Sequence, residues 1–156
     1  MSKRVSVHEG DVFAVPLDGS LYGYGLLFAK GRTSDCILAL QLVSEGLITD
    51  LNAVLGKPFA FLIHTVDVEI VRGRWQIIGN VAPPQGIRLP EYKTETLEGF
   101  KILSYKGEVV RDATSDEIER LDYLRSYSPR MLERALKAIH GLVPWEEWMD
   151  RILYKP

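Results

Sequence analysis

The chain has 156 residues, 46% of them hydrophobic and 26% charged, with a formal net charge of −2 and a sequence pI of about 5.9. That size and usage fit one globular domain with a real core and exclude a disordered chain. The slight acidity gives no overall drive toward nucleic acid or anionic membrane, the single Cys36 excludes an internal disulfide or a cysteine-rich zinc site, and no apolar run approaches the roughly 20 residues that span a bilayer.

Met1 to His8 is a polar lead-in without the apolar core of a signal peptide, so a cytoplasmic protein is expected. Glu9 to Gly31 then reads as a hairpin. Val12, Phe13, Val15 and Leu17 form the first strand, and Asp18-Gly19-Ser20 supplies the turn. Pro16 cannot donate to a ladder, so this strand is expected to be an edge or to break near its end. The second strand alternates, with Tyr22, Tyr24, Leu26 and Phe28 on one face and Gly23, Gly25, Leu27 and Ala29 on the other. Such a glycine-rich face belongs to a strand that bends or is closely approached. Gly31 to Asp35 is a loop by composition, and Cys36 to Leu42 is a strand buried on both faces, interrupted by Ser44-Glu45-Gly46. A short helix is expected over residues 47–56, capped by Thr49 or Asp50 and closed by Gly56. Phe59 to Ile63 is a further strand, and the alternation of Val66, Val68 and Ile70 predicts another. Trp75 to Val81 follows, and Ala82 to Pro90, with three prolines, is a connection.

The second half changes character. Phe100 to Tyr105 and Glu108 to Val110 predict a hairpin around Lys106-Gly107. Thr114 and Glu117 have capping-box spacing, and Ser128-Pro129 starts a helix whose face is Met131, Leu132, Ala135, Leu136 and Ile139, closed by Gly141. A last helix is expected from Pro144, with Trp145, Trp148, Met149 and Ile152 on one face. The fold class is therefore α+β: a strongly twisted, mostly antiparallel sheet or small partly open barrel of about six or seven strands, followed by C-terminal helices. Residues 1–156 are read as one domain, with a mainly β body over 1–110 and a helical part over 111–156.

Little in this chain announces chemistry. His8, His64 and His140 are its only histidines, and none lies at metal-ligand spacing to another His, Cys, Asp or Glu. His64 reads as a hydrogen-bonded structural residue beside a strand, and His140 as a partner of a helix C-terminus. A Gly-x-Ser-x-Gly elbow is missing, and Tyr22-Gly23-Tyr24-Gly25 lacks the lysine and the strand-to-helix setting of a phosphate loop. Cys36 reads as a small apolar core residue. No catalytic residue, metal site or cofactor is assigned. Asp11 reads first as a local backbone acceptor and second as part of a polar cleft with Tyr22 or Tyr24. Tyr22, Tyr24, Phe28 and Trp75 read as core or, if exposed together, as a binding patch.

Gly10-Asp11, a short apolar strand ending in Pro16-Leu17, and then Tyr22-Gly23-Tyr24-Gly25 resemble the opening of the immunity protein 26 family. Gly73-Arg74-Trp75-Gln76-Ile77-Ile78-Gly79 is similar to a later strand of that family, so the resemblance runs from Gly10 to about Gly79. It implies an immunity protein that binds a cognate bacterial toxin and neutralises it by steric masking, without turnover. Asp11, Tyr22, Tyr24 and Trp75 are the binding candidates. Asp116, Glu117, Glu119 and Asp122 are further candidates for meeting a basic toxin surface, beside their simpler reading as a solvated helix face. Because the same family grouping takes in a small phosphotriesterase, a hydrolase of that kind is the alternative; the catalytic set it requires has no counterpart in the motifs here. A small RNA-binding or RNA-cleaving barrel is the second alternative, and the acidic pI weighs against it.

Overall fold

A computed structural model describes residues 4–156; residues 1–3, the start of the polar lead-in, lie outside the described residues. In chain order the elements are β1 (Asp11–Pro16), β2 (Leu21–Ala29), β3 (Asp35–Glu45), α1 (Leu51–Leu55), β4 (Phe59–Thr65), α2 (Val68–Val71) and β5 (Gln76–Asn80). There follow β6 (Tyr92–Thr96), β7 (Gly99–Leu103), β8 (Val109–Asp112), α3 (Ser115–Arg120), α4 (Pro129–Ile139) and α5 (Glu147–Arg151). The first five strands make one antiparallel sheet in the order β4-β3-β2-β1-β5, and the last three make a second in the order β6-β7-β8. The architecture is α+β.

The five-stranded sheet is covered on both faces, which is why its inner strands read as nearly unbroken apolar runs. Phe13, Val15, Leu27, Ile37, Phe61 and Ile63 point to one side, where they pack with Leu132, Ala135 and Leu136 of α4 and Met149 of α5. Val12, Ala14, Tyr24, Leu26, Leu38 and Leu40 point to the other, beneath Val54 of α1, the 87–89 segment, Tyr105 and Tyr154. Pro16 closes β1, an interior strand, so its missing N–H falls where the ladder ends.

The glycines of β2 set how near the first layer can come. An ideal Cβ on Gly23 would lie 2.7 Å from Leu136 Cδ1, and one on Gly25 would lie 2.6 Å from Phe13 Cζ. Phe13 stacks in turn on Trp75, with ring centroids 5.4 Å apart and planes 3° from parallel. The Trp75 indole N–H donates to Glu133 Oε2 of α4 at 3.0 Å, and Arg74 pairs with both Glu133 and Glu69. A buried carboxylate in the apolar layer is thereby matched with an N–H donor and a guanidinium.

Several elements depart from the sequence reading. The open, mostly antiparallel α+β arrangement is as expected, but among the described residues its eight strands form two sheets. The register of β2 against β3 slips between Gly23 and Gly25 and between Leu27 and Ala29, and Ala29 joins the cluster on the tyrosine side. β3 runs on through Ser44 and Glu45. Residues 66–70, whose alternation predicts a strand, instead run into the single turn α2, with Ile70 N and Val71 N both donating to Asp67 O. The reason is topological. β4 and β5 lie on opposite edges, so the segment between them must cross a face, where no strand is available to pair with it and Ile70 enters the core. β6 was missed because YKTET is mostly polar; it pairs with β7 across a turn ending at Gly99, whose φ is 106°. The last helix starts at Glu147 rather than Pro144. The capping box of Thr114 and Glu117 and the Asp50 cap of α1 are both formed.

The two glycine contacts differ in what must yield. Gly25→Ala is expected to lower stability by about 2–3 kcal/mol because the Phe13 ring is clamped by Trp75, whereas Gly23→Ala, facing a movable leucine methyl, costs about 1 kcal/mol or less. Urea unfolding of the two variants checks this, and equal losses contradict the packing described.

Candidate functional site

The four binding candidates lie apart. Asp11, 4% exposed, accepts the His8 backbone N–H at 2.7 Å and the Asn80 side-chain N–H at 2.9 Å, and so ties the lead-in to β5. Tyr24 is fully buried; its hydroxyl bonds to Ser44 Oγ at 2.7 Å and accepts from Ile48 N at 2.8 Å. Tyr22 is half-buried on the same side of the sheet, as is Phe28. Trp75 is fully buried on the opposite side. They therefore share no exposed patch: the sheet itself separates Trp75 from the tyrosines. Among the helix acids, Glu117 is buried in the capping box and paired with Arg111, while Asp116, Glu119 and Asp122 are exposed.

The structure instead opens a cleft of about 430 Å³ at the β4 edge of the large sheet. Three segments distant in sequence wall it: Arg88 to Tyr92 before and into β6, Arg120 to Asp122 at the end of α3, and Arg151 to Lys155 from the end of α5 into the C-terminal tail; Leu62 lies at its base. Each wall is fastened through the backbone. Leu62 N donates to Ile152 O at 2.8 Å and Tyr154 N to Ala60 O at 2.9 Å, so the tail runs along β4. Arg88 N donates to the Tyr154 hydroxyl at 3.2 Å, and Lys93 N donates to Asp122 O at 3.0 Å. Lys93 Nζ also reaches Ile118 O at 2.6 Å, fixing α3 to β6.

The walls carry Arg88, Arg120, Arg151 and Lys155 against Glu91 and Asp122. Glu91 is already engaged by both terminal nitrogens of Arg111 at 2.9 Å, which holds its carboxyl below the usual range. Arg120 pairs with Asp116 on an exposed helix face at 3.3 Å, where such a pair is weak. Among the described residues Arg88, Arg151 and Lys155 make no ion pair. The sequence reading missed these residues because they are spread over 68 positions of a chain with net negative charge and form no run. The one available signal was the basic content of the tail, Arg151 and Lys155 beside Tyr154.

A smaller recess continues from the cleft and shares Leu62, Tyr92, Asp122 and Arg151 with it. His64 lines it, 4% exposed, with Nε2 2.8 Å from the Tyr92 hydroxyl and its backbone carbonyl accepting Tyr127 N at 2.8 Å. Burial lowers the His64 pKa to about 4 and raises that of Tyr92, so near neutrality the pair is uncharged. Burial likewise pushes the Cys36 thiol up to about 12, far from a reactive thiolate. Among the described residues, no group of three or more His, Cys, Asp or Glu is placed to hold a metal ion.

The histidine makes stability depend on pH. An unfolded imidazole binds its proton near pH 6.5 and the folded one only near 4, so the unfolded state takes up more protons between those values. Stability is therefore complete above pH 6.5 and falls as pH drops toward 4, by as much as about 3 kcal/mol. His64→Gln is expected to flatten the pH 5 to 6.5 part of a urea-stability profile, a window above most carboxylate titration. An unchanged slope in that variant assigns the pH dependence elsewhere.

A family model described as immunity protein 26 matches residues 8–97. Searches of curated proteins and of solved structures found no match. The matched stretch contains the whole five-stranded sheet and β6, and it ends before α3 and the C-terminal segment, which supply two of the three cleft walls. It covers more than half of the 156 residues, and on that ground the chain belongs to the immunity protein 26 family.

Proposed function

We propose that this protein binds a cognate bacterial toxin domain in the cytoplasm and neutralises it by covering its active surface. Membership of the immunity protein 26 family is the observation that carries the reading. The physical character of the chain supports it. The sheet is packed on both faces, and the tail is bonded along β4, so a partner meets a surface formed in advance and the ordering cost of association is small. Steric masking needs no reacting group, and the polar residues Asp11, Tyr24, His64 and Glu133 are each engaged in holding the fold.

The test is capture followed by rescue. Tagged protein in a lysate of the source organism is expected to retain, near one to one, a polypeptide whose expression alone arrests growth. Co-expression with this chain is expected to relieve that arrest by several orders of magnitude in plating efficiency. A growth-arresting partner that stays toxic in its presence, or no such partner at all, contradicts the proposal.

A further inference from the structure

We infer that the cleft between β6, the end of α3 and the C-terminal tail receives a short acidic segment of a protein partner, with its carboxylates on Arg88, Arg151 and Lys155. The inference rests on the toxin-binding reading and names the surface and the partner chemistry. Its first support is charge. A chain of net charge −2 gathers four cations around one opening, and three of them make no ion pair among the described residues. Of the two acids there, Glu91 is neutralised by Arg111. The local sign is thus opposite to that of the whole molecule, and it suits carboxylates.

The second support is the lining. Leu62, Leu89, Leu121 and Leu153 give the cleft an apolar surface between the charges, and Leu153 is 39% exposed at its rim. Arg88 and Arg151 stand beside Tyr92 and Tyr154 in the same lining, and arginine and tyrosine are residue types on which protein interfaces concentrate their binding energy. A nucleic-acid strand fits less well. A cleft of about 430 Å³ takes a few side chains rather than an extended polyanionic backbone with its stacked bases.

The probe is the peptide acetyl-Glu-Asp-Leu-Glu-Asp-amide, titrated into the full-length ¹⁵N-labelled protein at low salt. Amide shifts are expected to concentrate on Tyr92, Leu121, Leu153 and Tyr154. They should fall at least tenfold in the double variant Arg151→Glu, Lys155→Glu, whose substitutions are exposed and whose folding is read from the same spectra. If that variant loses its dispersed spectrum, Arg151→Gln with Lys155→Gln replaces it, with a severalfold loss expected. Shifts elsewhere, no shifts, or shifts indifferent to the charge change overturn the inference. So does an equal response to inorganic phosphate or to an oligouridylate, which would make the cleft a general anion site or an RNA site. The captured toxin separates this result from the parent proposal: if the charge-reversed protein captures and neutralises as well as the natural one, the cleft assignment fails while the immunity reading stands.

Discussion

The Trp75 indole is the contact on which the rest of the molecule depends. It lies under the helical layer, flat against Phe13, and its N–H ends on the Glu133 carboxylate of α4. Phe13 reaches that position only because Gly25 leaves room for its ring. Neighbouring Arg74 completes the charge balance by pairing with Glu133 and with Glu69 of α2. One polar link inside an apolar layer thus joins the hairpin, the crossover and the long helix. A buried carboxylate without its partners would be costly, so the link also disfavours other seatings of α4 on the sheet.

That seating has consequences at a distance. With α4 and α5 fixed on one face, the chain after α5 turns onto the free edge of β4, where it makes backbone hydrogen bonds at Leu62 and Ala60. An edge strand that would otherwise offer unpaired amides is partly covered from within. The end of α5 and the same tail carry Arg151 and Lys155 to the opening bounded by Arg88 and Arg120. The candidate surface is therefore a by-product of edge protection. Its position follows from where β4 ends up in the sheet.

His64 and Tyr92 mark the seam between the two sheets. Their side chains meet at 2.8 Å although they are 28 residues apart, and the histidine is kept neutral by the burial that the second sheet and the tail impose. Behind the cleft, Arg111 of β8 holds Glu91 at the head of β6 and Glu117 of α3. The three-stranded sheet thus acts less as a core than as a bracket that sets one wall of the opening against the others.

Features governed by neighbours in the chain were legible from the residues alone. The Asp18-Gly19-Ser20 turn, the Asp50 cap, the Thr114–Glu117 capping box and the Pro129 helix start depend on contacts spanning a few positions, and each formed. The run from Cys36 was legible for a related reason: a strand covered on both faces carries its burial in composition. The five residues from Val66 looked like a strand because alternation is all that a sequence displays. They became a turn because β5 pairs at the far edge and left them nothing to pair with. Tyr24 and Trp75 carried equal signals as binding aromatics, and the sheet placed them on opposite buried faces. The family, too, was legible from the Gly10 to Gly79 pattern, since strand order and turn chemistry are written locally. The cleft was not. Its charges come from residues 88, 120, 151 and 155, each unremarkable in its own neighbourhood, and only long-range strand pairing and helix packing bring them to one opening.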